Sequence, residues 1–265
     1  MNATGTLPDT ALITPDWPAA PAVGALQTTR VGGISEGVWA SLNLALHTGD
    51  DPQRVAGNRR RLAQAVAARG VPGAELHWPA QVHGTRVVRA EELAAADAPV
   101  EADAVMTTRP GRVCAVQTAD CLPVLFAGTG GEAVAAAHAG WRGLVDGVLE
   151  ATLAALREAR PQADWHAWLG PAIGPDAFEV GAEVRERFLA VQPEMAAAFR
   201  PAARDGHWLA DLEALARDRL AQAGVVVHGG GQCTFSAPDR FFSYRRDGTT
   251  GRLASLVWIC PEAGA

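Results

Sequence analysis

The sequence predicts a single domain of the α+β class, and three observations carry that expectation. Short apolar runs punctuated by Gly, Pro or Asp crowd the middle of the chain and return near its end. Helical periodicities are interspersed among them without the regular strand–helix alternation of a doubly wound sheet. With 265 residues, 48% of them apolar, the chain can bury one large core, and no stretch rich in Gly, Ser or charge divides it.

Residues 1–22, rich in Pro, Thr and Ala, read as a loose arm, and residues 23–262 as a single catalytic domain. A helix is expected from Asp51, which can cap it while Pro52 fits its first turn. Val55, Leu62 and Val66 continue it at helical spacing until Gly70 and Pro72 end it. Strands follow over 104–108, 112–118, 122–127 and 133–137. The spacing of Val145, Leu149, Leu153 and Leu156 predicts one long helix over 143–160. A strand is expected over 165–170, then helices over 181–191 and 208–223. Strands over 225–228 and 253–259 complete the set.

Composition excludes several chemistries. All 23 basic residues are Arg, there is no Lys, and Ala reaches 54. A P-loop nucleotidase and a pyridoxal-phosphate enzyme each need a Lys and are ruled out. A net charge of −6 without a basic tract argues against nucleic acid as the partner. The four Cys stand apart, with no CxxC, as in a reduced protein. With no signal-like N-terminus and no long apolar run, a cytoplasmic protein without membrane contact is expected.

Three short segments can carry chemistry: Gln81-Val82-His83-Gly84, Thr118-Ala119-Asp120-Cys121-Leu122-Pro123, and the run from Ala137 through His138 to Gly143. Each sets a metal-ligating side chain at a strand end beside a turn, where loops converge on a cleft. Two imidazoles and a thiolate suit a catalytic zinc site with a fourth position for water or substrate. Each residue also has a plainer reading. His83 can hydrogen-bond in its turn, Cys121 can be a small buried side chain, and His138 can bond a nearby carbonyl.

These segments, in this order, resemble the family variously called laccase-domain or multicopper polyphenol oxidase, purine nucleoside phosphorylase and peptidoglycan editing factor. The likeness runs from Thr28-Thr29-Arg30-Val31-Gly32-Gly33 to the last strand. It includes Ser41-Leu42-Asn43-Leu44, Asp103-Ala104-Val105, Leu169-Gly170-Pro171 and Phe242-Ser243-Tyr244-Arg245-Arg246 with Thr250-Gly251-Arg252. The resemblance implies a mixed β-sandwich flanked by helices and a zinc site formed by His83, Cys121 and His138. It implies phosphorolysis of adenosine, inosine and 5′-methylthioadenosine and deamination of adenosine, with purine nucleosides and phosphate as partners. A monomer is expected. A true multicopper oxidase is excluded by arithmetic. It needs about ten His in His-x-His pairs, whereas this chain has seven His, no two within two residues of each other. Copper in place of zinc at the same ligands stays compatible with the donor set.

For deamination, Asp120 is the candidate proton shuttle, with a turn or supporting hydrogen bond as its plainer role. For phosphorolysis, Arg142, Arg30, Arg245 and Arg246 are candidate phosphate ligands, since a guanidinium fork matches phosphate oxygens. Asn43 and Gln81 can bond purine or ribose, and Tyr244 can stack; each can equally serve the fold. Cys233 is a further candidate for lining the cleft, while Cys114 and Cys260 read as structural. His47, His77, His166, His207 and His228 receive no metal role. Two other functions compete: Cys121 as a nucleophile with His138 as base, hydrolysing an amide in a cell-wall precursor, and a non-catalytic protein with a structural zinc.

Overall fold

The computed structural model describes residues 6–261; residues 1–5 of the expected arm and residue 262 of the expected domain lie outside the described residues. The chain opens with an antiparallel pair, β1 (Leu12–Ile13) and β2 (Val23–Thr28). The arm is therefore not loose throughout. Ala11 is buried, and the Thr29 hydroxyl donates to the Thr10 carbonyl at 2.9 Å. Helix α1 (Pro52–Ala67) starts as expected, with the Asp51 carboxylate accepting from the Gln53 N–H at 2.8 Å.

Then come β3 (Glu75–His77), β4 (Val87–Arg89), α2 (Ala90–Ala95), β5 (Ala104–Thr107), β6 (Arg112–Thr118), β7 (Leu122–Gly128) and β8 (Val134–Ala139). The single helix expected over 143–160 is instead two, α3 (Trp141–Asp146) and α4 (Val148–Ala159). Gly147 separates them at φ 102°, a left-handed conformation that closes one helix and that Gly adopts without steric cost. Apolar periodicity continued across this break, which is why spacing alone did not reveal it.

Strands β9 (Trp165–Leu169) and β10 (Glu179–Gly181) lead to α5 (Ala182–Val191), β11 (Phe199–Pro201) and β12 (His207–Ala210). The helix expected from 208 begins only at Leu212 as α6 (Leu212–Gln222), because Asp211 caps it and the preceding residues pair in a small sheet. The chain ends with β13 (Val226–Gly229), the single turn α7 (Tyr244–Asp247) and β14 (Leu253–Ile259).

Among the described residues, two large sheets and one small one result. The five-stranded sheet has the order β1-β2-β14-β6-β3, the six-stranded sheet β13-β9-β7-β8-β5-β4, and the small sheet β10-β12-β11. The first two pack face to face, and alternation along the strands divides the core. Leu125 and Ala127 of β7 join Cys114 and Val116 of β6 between the sheets. Val124 and Phe126 face α4 and α6 through Leu149, Leu153 and Leu215. Val113 and Ala115 face Leu62 and Val66 of α1. With both faces of each sheet covered, the central strands read as unbroken apolar runs, so the sequence showed them clearly. The mixed sandwich flanked by helices is the α+β architecture expected.

Candidate metal and substrate site

Four neighbouring strand ends meet on one edge of the six-stranded sheet. Because β7, β8 and β5 run antiparallel in that order, the start of β7, the end of β8 and the start of β5 lie together. Cys121 precedes β7, His138 is the penultimate residue of β8, and Asp103 precedes β5. Strand β4 runs parallel to β5, so the loop before it brings His83 to the same end. The ligand atoms of His83, Cys121 and His138 all lie within 4.8 Å of one another, and Cys121 Sγ is 3.8 Å from His83 Nε2. A zinc ion in tetrahedral coordination would hold sulfur and nitrogen about 3.6 Å apart, so the donor set and its spacing fit a borderline transition metal. Gly140 makes room for this approach. A Cβ there would stand 2.7 Å from the His83 ring and 3.1 Å from the Cys121 sulfur.

Asp103 organises the group. Its fully buried carboxylate accepts from the backbone N–H groups of Val82, His83 and Gly84 at 3.2, 2.9 and 2.7 Å. It also bonds His138 Nδ1 at 2.8 Å. His83 sits at φ 62°, so the three consecutive N–H groups curl around the anion as a nest. One carboxylate thus fixes the loop carrying His83 and the ring of His138, leaving His138 Nε2 for a metal. The sequence displayed Asp103 only as part of a motif; its role depends on a register that spacing does not reveal.

The electrostatics follow from this packing. Burial alone would push the Cys121 thiol up, but the positive His138 ring and hydrogen bonds from both imidazoles outweigh it and bring it to about 6. Burial alone would push His138 down; the Cys121 thiolate and Asp103 instead raise it to about 9. Burial opposes ionisation of Asp103, yet the His138 and Gly84 hydrogen bonds hold its carboxyl below the ordinary range. Without metal, the group is a thiolate–imidazolium pair backed by a carboxylate.

Asp120 stands at φ 92° beside Cys121, but its carboxylate turns to other work. Its oxygens accept from the Thr234 hydroxyl and the Arg245 N–H, each at 2.6 Å, and its carbonyl accepts from the Ile173 N–H at 2.9 Å. The geometry matches the supporting role rather than the proton shuttle, because both oxygens are committed to the loops that close the site.

The triad borders a cleft of about 340 Å³. Gln81 and Tyr244 line it, although the Gln81 amide pairs with the backbone of Gln117 at 2.7 and 2.8 Å. The other expected substrate ligands do not reach it. Arg30 donates to the carbonyls of Ala40 and Pro238 and lies over the Phe242 ring. Arg142 lies over its neighbour Trp141. The Arg245 guanidinium donates to the Glu179 carbonyl, and that of Arg246 to the carbonyls of Thr234, Phe235 and Phe241. Asn43 is fully buried, bonded to Thr48 and Asp50. Cys233 lines a separate cleft beside Gly174, where it accepts from that residue's N–H at 3.2 Å. Arg30, Arg245 and Arg246 are thus held by backbone carbonyls and Asn43 by polar side chains, while Arg142 is exposed against a ring.

The cleft instead recruits His47, Gln117 and Arg252. Arg252 precedes β14, whose first residue pairs with Thr118 at the end of β6, so it arrives beside the segment leading to Cys121. The visible signal was its place in the Thr250-Gly251-Arg252 motif.

The chain matches the family model described as multi-copper polyphenol oxidoreductase laccase over residues 24–260. It is 51% identical over 250 residues to a purine nucleoside phosphorylase of Pseudomonas aeruginosa, covering 94% of this chain and 98% of that protein. It is 50% identical over 249 residues to purine nucleoside phosphorylase YfiH of Escherichia coli, with coverage of 94% and 98%. Among solved structures, one Neisseria meningitidis protein aligns with a TM-score of 0.88 at 48% identity, over 95% of this chain and all of that one. YlmD from Geobacillus stearothermophilus aligns with a TM-score of 0.82 at 32% identity, over 93% and 94%.

Proposed function

Since this chain belongs to the multi-copper polyphenol oxidoreductase laccase family, we propose that it acts as a metal-dependent purine nucleoside phosphorylase that also deaminates adenosine. The observation that carries this reading is one cleft combining a His–Cys–His group, a guanidinium with an uncommitted edge and a half-exposed aromatic ring. Among the described residues this is the one group of three or more such ligands close enough to hold a metal, which does not supply the ligand groups of a three-copper assembly.

In phosphorolysis a phosphate oxygen bonds to ribose C1′ as the bond from C1′ to the purine breaks. The base leaves with the electron pair and takes up a proton. Adenosine, inosine and 5′-methylthioadenosine are the expected substrates. Arg252 is the residue we assign to phosphate. Its Nη1 donates to the carbonyls of Thr250 and Gly251 at 3.0 Å each, its Cζ lies 5.7 Å from the centroid of the Tyr244 ring, and no described residue hydrogen-bonds Nε or Nη2, so that edge of the fork can meet an anion. Asn43 positions it by accepting from the Arg252 N–H at 2.9 Å. Tyr244, 61% exposed, lies beside Arg252 and leaves ring surface against which a purine can pack. His47 stays neutral because burial and the charge of Arg252 lower its pKa, so it can exchange hydrogen bonds with a sugar hydroxyl. A zinc ion on His83, Cys121 and His138 would supply positive charge and a water of lowered pKa, the chemistry that deamination at purine C6 requires. Asp103 serves both reactions by holding His83 and His138 in place.

The test is chromatographic. Zinc-loaded protein is incubated with adenosine, with and without phosphate, beside Cys121→Ala. Adenine formed only with phosphate, inosine formed without it, and loss of both in the variant are the expected results. Metal-replete protein that turns over none of the three nucleosides would sink the proposal.

One observation favours a second reading, a Cys-dependent amidase acting on peptidoglycan precursors. In metal-free protein Cys121, His138 and Asp103 form the series nucleophile, base and orienting carboxylate. Alkylation of Cys121 by iodoacetamide in metal-free protein is expected to accelerate as pH rises and reach half its plateau near pH 6. A covalent adduct on Cys121 formed from a wall precursor, with amide release, would put this reading first.

A further inference from the structure

Away from the cleft, His166 and His228 stand on adjacent parallel strands, with His166 opposite Val226 and His228 opposite Trp168. Side chains two residues apart share a face, so both His lie on the face that carries Trp168 into the core between the two large sheets. They occupy its margin, on β9 and the outermost strand β13, where both are half-buried. His166 Nδ1 is 3.1 Å from His228 Nε2, and the ring centroids are 5.1 Å apart. The sequence assigned neither residue a metal role, because both lie outside the three motif segments.

We propose that His166 and His228 form a second metal-binding site, chelating a divalent ion that favours imidazole nitrogen, such as Zn2+ or Cu2+. Two nitrogens 3.1 Å apart, each about 2.05 Å from one ion, subtend an angle of about 98°. That lies between the square-planar and tetrahedral values, so one ion can accept both. In the metal-free pair one ring donates its N–H to the other. On binding, the donor ring carries its proton on its other nitrogen and both lone pairs turn to the ion. Metal binding requires neutral imidazoles, and the surroundings of His228 favour that form. Burial, His166 and Arg217 lower the pKa of His228 against the opposing pull of Asp16. Paired strands fix the backbones, so little ordering is needed on binding.

The site is independent of the proposed function, and its test disables the cleft by removing two of its three ligands, which leaves one imidazole there. Zn2+ binding is measured by equilibrium dialysis for the double variant His83→Gln with Cys121→Ser and for the same chain also carrying His228→Gln. The double variant is expected to retain one exchangeable zinc, which raises its Tm. Adding His228→Gln, or separately His166→Gln, should weaken that zinc by at least tenfold and abolish the rise in Tm. With the cleft intact, the His228→Gln protein should keep wild-type turnover. Equal zinc affinity with and without His228→Gln, or no zinc on the double variant, would overturn the proposal.

Discussion

Asp103→Ala is expected to weaken metal binding about 10- to 100-fold, the usual cost of removing the carboxylate behind a metal-bound imidazole. It should also lower stability by about 3–5 kcal/mol, since it strips the partner from a buried, charged ring. Both effects have one cause. The carboxylate that orients His138 also collects the three N–H groups of the His83 loop, so its loss frees two of the three ligands. Zinc competition and urea unfolding measure the two effects separately. Asp103→Asn keeps an oxygen for the nest but loses the charge, and should retain more stability than metal affinity. The folded-state pKa of Asp103 is held below the ordinary carboxylate value. Its stabilisation is therefore complete above about pH 4 and is lost as pH falls through the folded-state value. The gap between wild type and Asp103→Ala should narrow on acidification. Metal affinity within twofold of wild type in Asp103→Ala would remove the organising role assigned to it.

Arg252→Ala is expected to lower phosphorolysis by about 10- to 100-fold in kcat/KM. Hydrogen bonds to a charged group contribute about 1.5–3 kcal/mol, and each 1.36 kcal/mol is tenfold. Most of the loss should fall on the KM for phosphate. Deamination, which consumes water, should stay within about threefold. Arg252→Lys restores the charge without the planar fork and should recover only part of the phosphate affinity. Steady-state kinetics of the two reactions on one preparation decides the point. Equal loss of both would show that Arg252 supports the cleft's shape rather than its phosphate.

How far the sequence carried depended on whether a feature is local. Strands β6, β7 and β8 were legible because both sheet faces are buried and their runs are unbroken. Helix α1 was legible because Asp51 and Pro52 mark its first turn. The break at Gly147 was not, because the apolar stripe runs through it, nor was β12, because its residues also suit a helix. The His–Cys–His grouping was foreseen through three turn segments and a family likeness, and the strand ends do bring those residues together. The arginines show the opposite case. Arg30, Arg142, Arg245, Arg246 and Arg252 all stood in Gly-rich or motif segments, yet only Arg252 reaches the cleft. A long side chain goes to whichever acceptor or ring is nearest, and that neighbour comes from elsewhere in the chain.

By itself the sequence determined the α+β class, the exclusion of Lys-dependent chemistry and of a three-copper oxidase, and a short list of metal-ligand candidates. These follow from composition and short-range pattern, which the chain carries before it folds. Tertiary structure alone decided that Asp103 stands behind His138, that Asp120 faces Thr234 and Arg245, and that His166 meets His228. Each of these pairings depends on strand order and register, and register is set by the packing of whole sheets rather than by the residues that meet.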